Sequence, residues 1–168
     1  MKKILAIALA LVFVLGCFAA CGKTETSDPA EDASLQSVLD AGRLVIATSP
    51  DFPPYENLDD NGNIVGIEIE IMQLIADKLG LELVLDAMDF DSALLAVQQG
   101  KSDIVMSGVT VTDDRKLVMD FTDSYTTACQ VIIVPEGSSV TLDNLGDQNI
   151  GTQRGTTGYI YCVDDYGE

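Results

Sequence analysis

The chain has 168 residues, 47% hydrophobic and 21% charged, with 9 basic against 27 acidic side chains, no histidine and a formal charge of -18. That balance excludes nucleic acid as a partner and polybasic docking to anionic lipid, because so few cations cannot line a phosphate track. Without histidine the usual zinc ligand sets and every Ser-His or Cys-His catalytic pair are excluded as well. The length and apolar content predict one folded domain, or one and part of a second, rather than a disordered chain.

The first residues read as an address. Met1, Lys2 and Lys3 precede an uncharged apolar run from Ile4 to Gly16, the order of a secretory signal. The run is shorter than the ~18–20 residues that a spanning helix needs. Phe18-Ala19-Ala20-Cys21-Gly22 resembles a bacterial lipobox, so residues 1–20 are expected to be a lipoprotein signal peptide and Cys21 the lipid-modified new N-terminus. Val14-Leu15-Gly16-Cys17 is a competing cut site, and an ordinary signal with incidental cysteines is the plain alternative. This reading puts the protein outside the bacterial cell membrane, anchored by lipid, on the periplasmic side in a diderm. Residues 21–34, charged and without apolar periodicity, read as a flexible tether. Cys129 and Cys162 lack CxxC spacing, and they could pair in an oxidising compartment or stay free.

Beyond the tether the elements alternate. Leu44-Val45-Ile46-Ala47-Thr48 predicts a strand that ends in a proline-stiffened loop, Ser49 to Pro54. Asp59-Asp60-Asn61-Gly62-Asn63 predicts a turn. It carries calcium-loop offsets at Asp59, Asn61, Asn63 and Glu70, but Ile64 stands where that loop requires glycine. From Glu70 to Leu79 the residues Ile71, Leu74, Ile75 and Leu79 recur at helical spacing, with Gly80 placed to end the helix. Leu81 to Leu85 predicts the next strand, Asp91 caps a helix that stops at Gly100, and Asp103 to Met106 predicts a third strand. Gln130-Val131-Ile132-Ile133-Val134 reads as a long β-run, after which a second strand-loop-helix begins.

Strands alternating with such helices predict an α/β fold with a mainly parallel sheet, whose ligands sit beyond the carboxyl ends of the strands. Two loops lie there, Ser49–Tyr55 and Ser107–Arg115. In the second, Thr110-Val111-Thr112-Asp113-Asp114-Arg115 sets an arginine where the helix dipole disfavours it. Arg115 either pairs with Asp113 or Asp120 or forms a fork for a ligand carboxylate. Phe52 is a core plug or a ligand platform, and Gly155-Thr156-Thr157 is a plain N-cap or an anion site. No GxSxG, Walker or GxGxxG motif is present, and no cofactor or metal is implied.

In order and at these spacings, LVIATSPDFPPY (Leu44–Tyr55), GIEIEIMQLIADKLG (Gly66–Gly80), DFDSAL (Asp89–Leu94), QGKSD (Gln99–Asp103), SGVTVTDDR (Ser107–Arg115), DFTDSY (Asp120–Tyr125) and GTQRGTT (Gly151–Thr157) resemble the family 3 extracellular solute-binding proteins of amino-acid ABC transporters. The resemblance covers about residues 36–168, and TVTDDR followed by DFTDSY is its most specific part. It implies a periplasmic-binding-protein-like, two-lobed clamshell that closes on one free amino acid, with a first lobe over 35–134 that includes a hinge strand and the start of a second, incomplete lobe over 135–168. It implies that Phe52 stacks on the ligand side chain and that Ser107, Gly108 and Thr110 hold its α-amino and α-carboxylate groups. Arg115 clamps the carboxylate, and Gln153, Thr156 and Thr157 close the site from the second lobe. The first-loop position that is often aspartate in relatives is Ser49 here, with Asp51 displaced by two residues. The partner implied is an ABC permease that receives a polar amino acid. Two other functions remain open on the same scaffold: a cyclohexadienyl dehydratase, which needs a carboxylic acid at the leaving group that the matched loops do not supply, and a ligand-binding sensor domain.

Overall fold

A computed structural model describes the backbone of residues 29–167 and the side chains of residues 34–167. The expected signal peptide, Cys17 and Cys21 lie outside the described residues. The chain divides into two compact units, Met1–Gln36 and Ser37–Glu168. Helix α1 (Pro29–Ala41) runs across that division, so helix begins inside the stretch that the sequence assigns to a tether. Proline is tolerated at a first helical position, where its missing N–H has no partner to lose.

The second unit holds the parallel sheet. Strand β1 (Arg43–Thr48) lies between β5 (Glu82–Ala87) and β6 (Ile104–Val105), both parallel to it, with Ile46 opposite Leu85 on one side and Ile104 on the other. Central position buries β1 on both faces, and Leu44, Ile46, Ala47 and Thr48 are all solvent-excluded. Leu44 and Ile46 pack with Met72, Ala76, Leu81 and Met106 on one face. On the other, Ala47 meets Ala93 and Ala96. Three alanines facing one another let helix α3 (Phe90–Gln98) approach the sheet closely.

Helix α2 (Ile67–Leu79) crosses from the first strand region to β5 and ends as the sequence predicts. Gly80 adopts φ 70°, and the N–H of Leu81 reaches back to Ala76 O at 2.9 Å. The buried stripe of α2, however, is Ile69, Met72 and Ala76 rather than Ile71, Leu74, Ile75 and Leu79. Leu74 is 69% exposed, and Ile71 and Ile75 face an apolar groove of about 790 Å3 that Met106, Val118 and Phe121 also line. Periodicity found the helix but not its phase, because both stripes recur at helical spacing.

Between β1 and α2 a small antiparallel sheet forms from β2 (Asp51–Phe52), β3 (Glu56–Leu58) and β4 (Ile64–Val65). The expected loop after β1 therefore contains a strand. The turn joining β3 to β4 is built by Asp59, which accepts hydrogen bonds from the backbone N–H groups of Asn61 and Asn63 and from Asn63 Nδ2. These bonds use both carboxylate oxygens and hold the Asp59 carboxyl below its usual range. Two further expectations change. The N-cap position of helix α3 is Asp89, whose side chain makes no capping hydrogen bond, and Asp91 lies in the first turn, accepting from the N–H of Ser92. Residues 130–134 form no strand, and Ile133 is 92% exposed. A β-rich run becomes a strand only on an edge that pairs with it, and none among the described residues does so.

Short helix α4 (Asp113–Lys116), a 3-10 turn (Leu142–Asp147) and helix α5 (Thr157–Tyr166) complete the described chain. Cys129 is an exposed free thiol and Cys162 a half-buried one, so the pairing left open by the sequence is not formed.

Gly66 fixes the geometry on which the site rests. It opens α2 at φ 140°, and a Cβ there would lie 2.1 Å from Tyr55 O and 3.0 Å from Glu56 Cα. Gly66→Ala is expected to cost at least ~2–3 kcal/mol by urea unfolding, whereas Gly62→Ala costs only about 1 kcal/mol. Gly62 also has positive φ (83°), but a Cβ there meets nothing within 4 Å. Equal losses at the two positions would show that contact with Tyr55 and Glu56 is not what Gly66 preserves.

Candidate functional site

The carboxyl ends of β1 and β6 bring Ser49 and Ser107 together. The N–H of Ser49 donates to Ser107 Oγ at 3.0 Å, and Ser107 Oγ donates to Glu56 Oε1 at 2.8 Å, with Ser49 O a longer contact at 3.4 Å. Three loops are joined through a single hydroxyl. Glu56 opens β3 and is completely buried, yet its second carboxyl oxygen receives no donor. Glu68, on the first turn of α2, is equally buried. It accepts the Gly108 N–H at 3.1 and 3.2 Å on its two oxygens and the hydroxyl of Tyr125 on one of them.

Burial dominates the titration of Glu56. Desolvation first, then the neighbouring Glu68 carboxyl and Asp51, raise its pKa to about 8 against the lowering effect of the Ser107 hydrogen bond. Tyr125 is also pushed well above its ordinary range, by burial first and then by its bond to Glu68.

Arg115 is 8% exposed on α4. Thr112 caps this helix, its hydroxyl accepting the Arg115 N–H at 3.2 Å. The guanidinium donates from Nη1 to Thr110 O at 2.6 Å and from Nη2 to Gly155 O at 2.9 Å, and it lies 5.6 Å from the centre of the Phe90 ring. Neither Asp113 nor Asp120 pairs with it; Asp113 instead meets Lys116 at 3.4 Å. A cation buried against two carbonyls and a ring has neutral partners only, and desolvation lowers its proton affinity. Its remaining N–H bonds suit a carboxylate held in a fork.

Residues 151–157 form the opposite wall. Gln153 Nε2 donates to Asp51 Oδ2 at 2.9 Å. Thr156 caps α5, accepting the Tyr159 N–H at 3.1 Å while donating to Gln153 O at 2.8 Å. Thr157 Oγ1 accepts from Gln130 Nε2 at 2.9 Å. The Phe52 ring is 47% exposed and stacks on Tyr55 with centroids 5.3 Å apart, so it is not a core plug. Gly108 (φ 56°) lies beneath it, where a Cβ would come within 2.9 Å of the ring.

These walls enclose a cavity of about 230 Å3, smaller than the ~300–1,000 Å3 pockets of drug-sized ligands and suited to one small metabolite. All the residues expected to bind ligand line it: Phe52, Ser107, Gly108, Thr110, Arg115, Gln153, Thr156 and Thr157. Their arrangement differs in detail from the expectation, since the Ser107 hydroxyl and Gly108 N–H point into the carboxyl network. The sequence reading passed over Asp51 as a site residue, and also Glu56, Phe90 and Gln130, which share the lining. Glu56 stands one residue beyond the matched loop Leu44–Tyr55, and nothing in composition separates it from the other acids.

The comparisons with known proteins agree with this geometry. Residues 44–161 match the bacterial extracellular solute-binding proteins, family 3, and the chain belongs to that family. It is 36% identical over 160 residues to the probable histidine-binding protein of Neisseria gonorrhoeae, spanning 94% of this chain but only 57% of that relative. Among solved structures it is similar to arginine-bound truncated ArgBP of T. maritima, at 38% identity and a TM-score of 0.75, over 79% of this chain and 64% of the other. The fold is thus that of the periplasmic amino-acid-binding proteins. Domain 1 of the same T. maritima protein, also arginine-bound, is 40% identical with a TM-score of 0.52, over 53% of this chain and 71% of that domain. No helix among the described residues is long and apolar enough to cross a membrane.

The buried acid makes stability depend on pH with a definite sign. Glu56 titrates near 4.5 when unfolded and at about 8 when folded, so the folded state holds a proton that the unfolded state gives up. That stabilisation is complete below the unfolded value and lost as pH rises through the folded one. The melting temperature is expected to fall from about pH 5 to about pH 8, and Glu56→Gln is expected to flatten the decline. A decline of equal slope in the variant would assign it to another group.

Proposed function

We propose that this chain is the ligand-capturing part of an extracellular binding protein that takes up one polar amino acid and delivers it to an ABC permease. The observation that carries this reading is Arg115, a buried guanidinium with only neutral protein partners, facing a metabolite-sized cavity that also holds carboxyl groups. A zwitterion supplies the missing anion and a cation for the acids together. Relatives named for histidine and arginine binding support the class, and an arginine-bound isolated domain of one of them supports binding by the part of the fold shared here. We take residues 35–134 as a first lobe and 135–168 as the beginning of a second, so that Phe52, Ser107, Gly108, Thr110 and Arg115 belong to one side of the ligand and Gln153, Thr156 and Thr157 to the other. Binding requires no catalytic step.

Arg115→Ala is expected to leave the circular dichroism spectrum unchanged and to weaken amino-acid binding at least about a hundredfold by calorimetry, since two charge-assisted hydrogen bonds at ~1.5–3 kcal/mol each are lost. Phe52→Ala should weaken it less, by about tenfold, through lost stacking area. Unchanged affinity in Arg115→Ala would remove Arg115 from the site.

The proposal includes a lipid anchor at Cys21 on the outer face of the cell membrane, carried by the lipobox-like Phe18-Ala19-Ala20-Cys21. In a bacterial host Cys21→Ser is expected to move the exported protein from the membrane fraction to the soluble exported fraction. Continued membrane retention of Cys21→Ser, together with release of Cys17→Ser, would transfer the modification to Cys17.

A further inference from the structure

Residues 120–134 follow α4 and form no helix or strand, and among the described residues they make no backbone-to-backbone hydrogen bond. Side chains fasten them instead. The Tyr125 hydroxyl donates to Glu68, and the Thr126 hydroxyl shares a hydrogen bond of 3.1 Å with the hydroxyl of Tyr55. Further along, Gln130 Nε2 donates to Thr157 Oγ1 at 2.9 Å on the opposite wall of the cavity. Gln130 lies close against α5 there, since a Cβ on Gly158 would come within 2.9 Å of its Oε1.

The two anchor points of this strap are fixed by their own surroundings. Tyr55 stands behind the Phe52 ring, the two stacked at 5.3 Å, and its backbone is pinned by a donated bond to Phe52 O and an accepted one from the Glu68 N–H, both at 3.0 Å. Glu68 is completely buried and accepts the Gly108 N–H. Desolvation and the bond to Glu68 hold Tyr125 protonated, so its hydroxyl remains a donor. Neither tyrosine lines the cavity, whereas Gln130 and Thr157 both do.

We propose that Tyr55 and Tyr125 are positioning residues of the ligand site: their hydroxyls anchor residues 125–130 to the first loops and so hold Gln130 against Thr157 on the far wall. The inference rests on the amino-acid-binding reading above and adds two residues that set affinity without touching ligand. Gln130 follows Thr126 by four residues, at most about 14 Å of extended chain. A strap without a backbone ladder leaves Gln130 many positions when it is loose and few when it is tied at 125 and 126. The entropy of ordering it is then lost before ligand arrives, and binding itself is opposed by less.

Calorimetry and stopped-flow dissociation on the whole chain with the proteinogenic amino acids, beginning with L-arginine and L-histidine, test this with variants that remove one hydroxyl each. Tyr55→Phe keeps the ring that stacks on Phe52, and Thr126→Val keeps the volume of the threonine. Each is expected to weaken binding by about threefold to tenfold through faster dissociation, with the melting temperature held within ~2 °C. The double variant is expected to bind no more weakly than either single one, and Tyr55→Phe is expected to add nothing once Gln130→Ala has removed the far fastening of the strap. Tyr125→Phe is expected to weaken binding at least as much as Tyr55→Phe, because its partner is a buried carboxyl. Unchanged affinity in Tyr55→Phe or Tyr125→Phe would overturn the inference and leave amino-acid capture standing. So would additive losses in Tyr55→Phe with Gln130→Ala, or affinity lost in step with melting temperature in Tyr55→Phe. Failure of every proteinogenic amino acid to bind the unaltered chain would overturn the proposed function and this inference together.

Discussion

One serine hydroxyl holds the site in register. Ser107 Oγ takes the backbone N–H of Ser49 and gives its own proton to Glu56, tying the end of β1, the end of β6 and the start of β3 together. Glu68 extends the tie to α2, the Gly108 backbone and Tyr125. Burying two acids costs far more than burying apolar groups of the same size; Glu68 offsets that cost with donors on both oxygens, whereas Glu56 has a donor on one oxygen and burial favours its protonated form. The network therefore works only in one geometry. It forces a glycine at 66, whose backbone runs against Tyr55 and Glu56, and another at 108, over which the Phe52 ring lies. Binding surface and acid network are consequently one construction, since the loops that present Phe52 and Gly108 to the cavity are those the acids fasten.

The electrostatic pattern has two scales. Over the whole chain the formal charge of -18 attracts cations and repels anions at a distance. Within the cavity lining the cation Arg115 on α4 stands with the acid Asp51 on β2, while burial favours the protonated form of Glu56 on β3. The amino acid proposed as ligand would be oriented by this pattern with its carboxylate toward Arg115. Salt screens the first effect and hardly touches the second, because Arg115 and Glu56 are withdrawn from solvent.

Much of this was legible in residue order. Strands β1, β5 and β6 and helices α2 and α3 follow from β-rich runs, apolar periodicity and glycines at the helix ends, because each feature acts through local backbone sterics. The residues that line the cavity were legible for another reason. The spacing of LVIATSPDFPPY, SGVTVTDDR and GTQRGTT matches a known family, and the loops after parallel strands are where such folds bind ligands. Hidden from the sequence were features set by partners distant along the chain. Glu56 and Glu68 look like any of 27 acids until α2 turns one of them inward against the other. The only local hint is the alternation Ile67-Glu68-Ile69-Glu70, which sets an acid among the apolar residues of the first turn of an amphipathic helix. Residues 130–134 erred the opposite way, since β-propensity describes a fit to a pairing edge and supplies no edge.

Arg115 and Asp51 serve two masters, and this makes ligand and wall interdependent. Arg115 gives one hydrogen bond to Gly155 O, and Asp51 receives one from Gln153, so residues 151–157 are held to the first loops through the two groups that a zwitterion most needs. Each keeps further capacity: the guanidinium has N–H bonds left to donate, and a carboxylate oxygen accepts more than one. The zwitterion proposed as ligand would neutralise both charges without displacing those bonds. Neutralisation would lower the cost of excluding water from Arg115 and Asp51, so on the proposed function the wall would be held more tightly with ligand than without it. Capture and enclosure would then be a single equilibrium, because the residues proposed to recognise the ligand also hold the wall around the cavity.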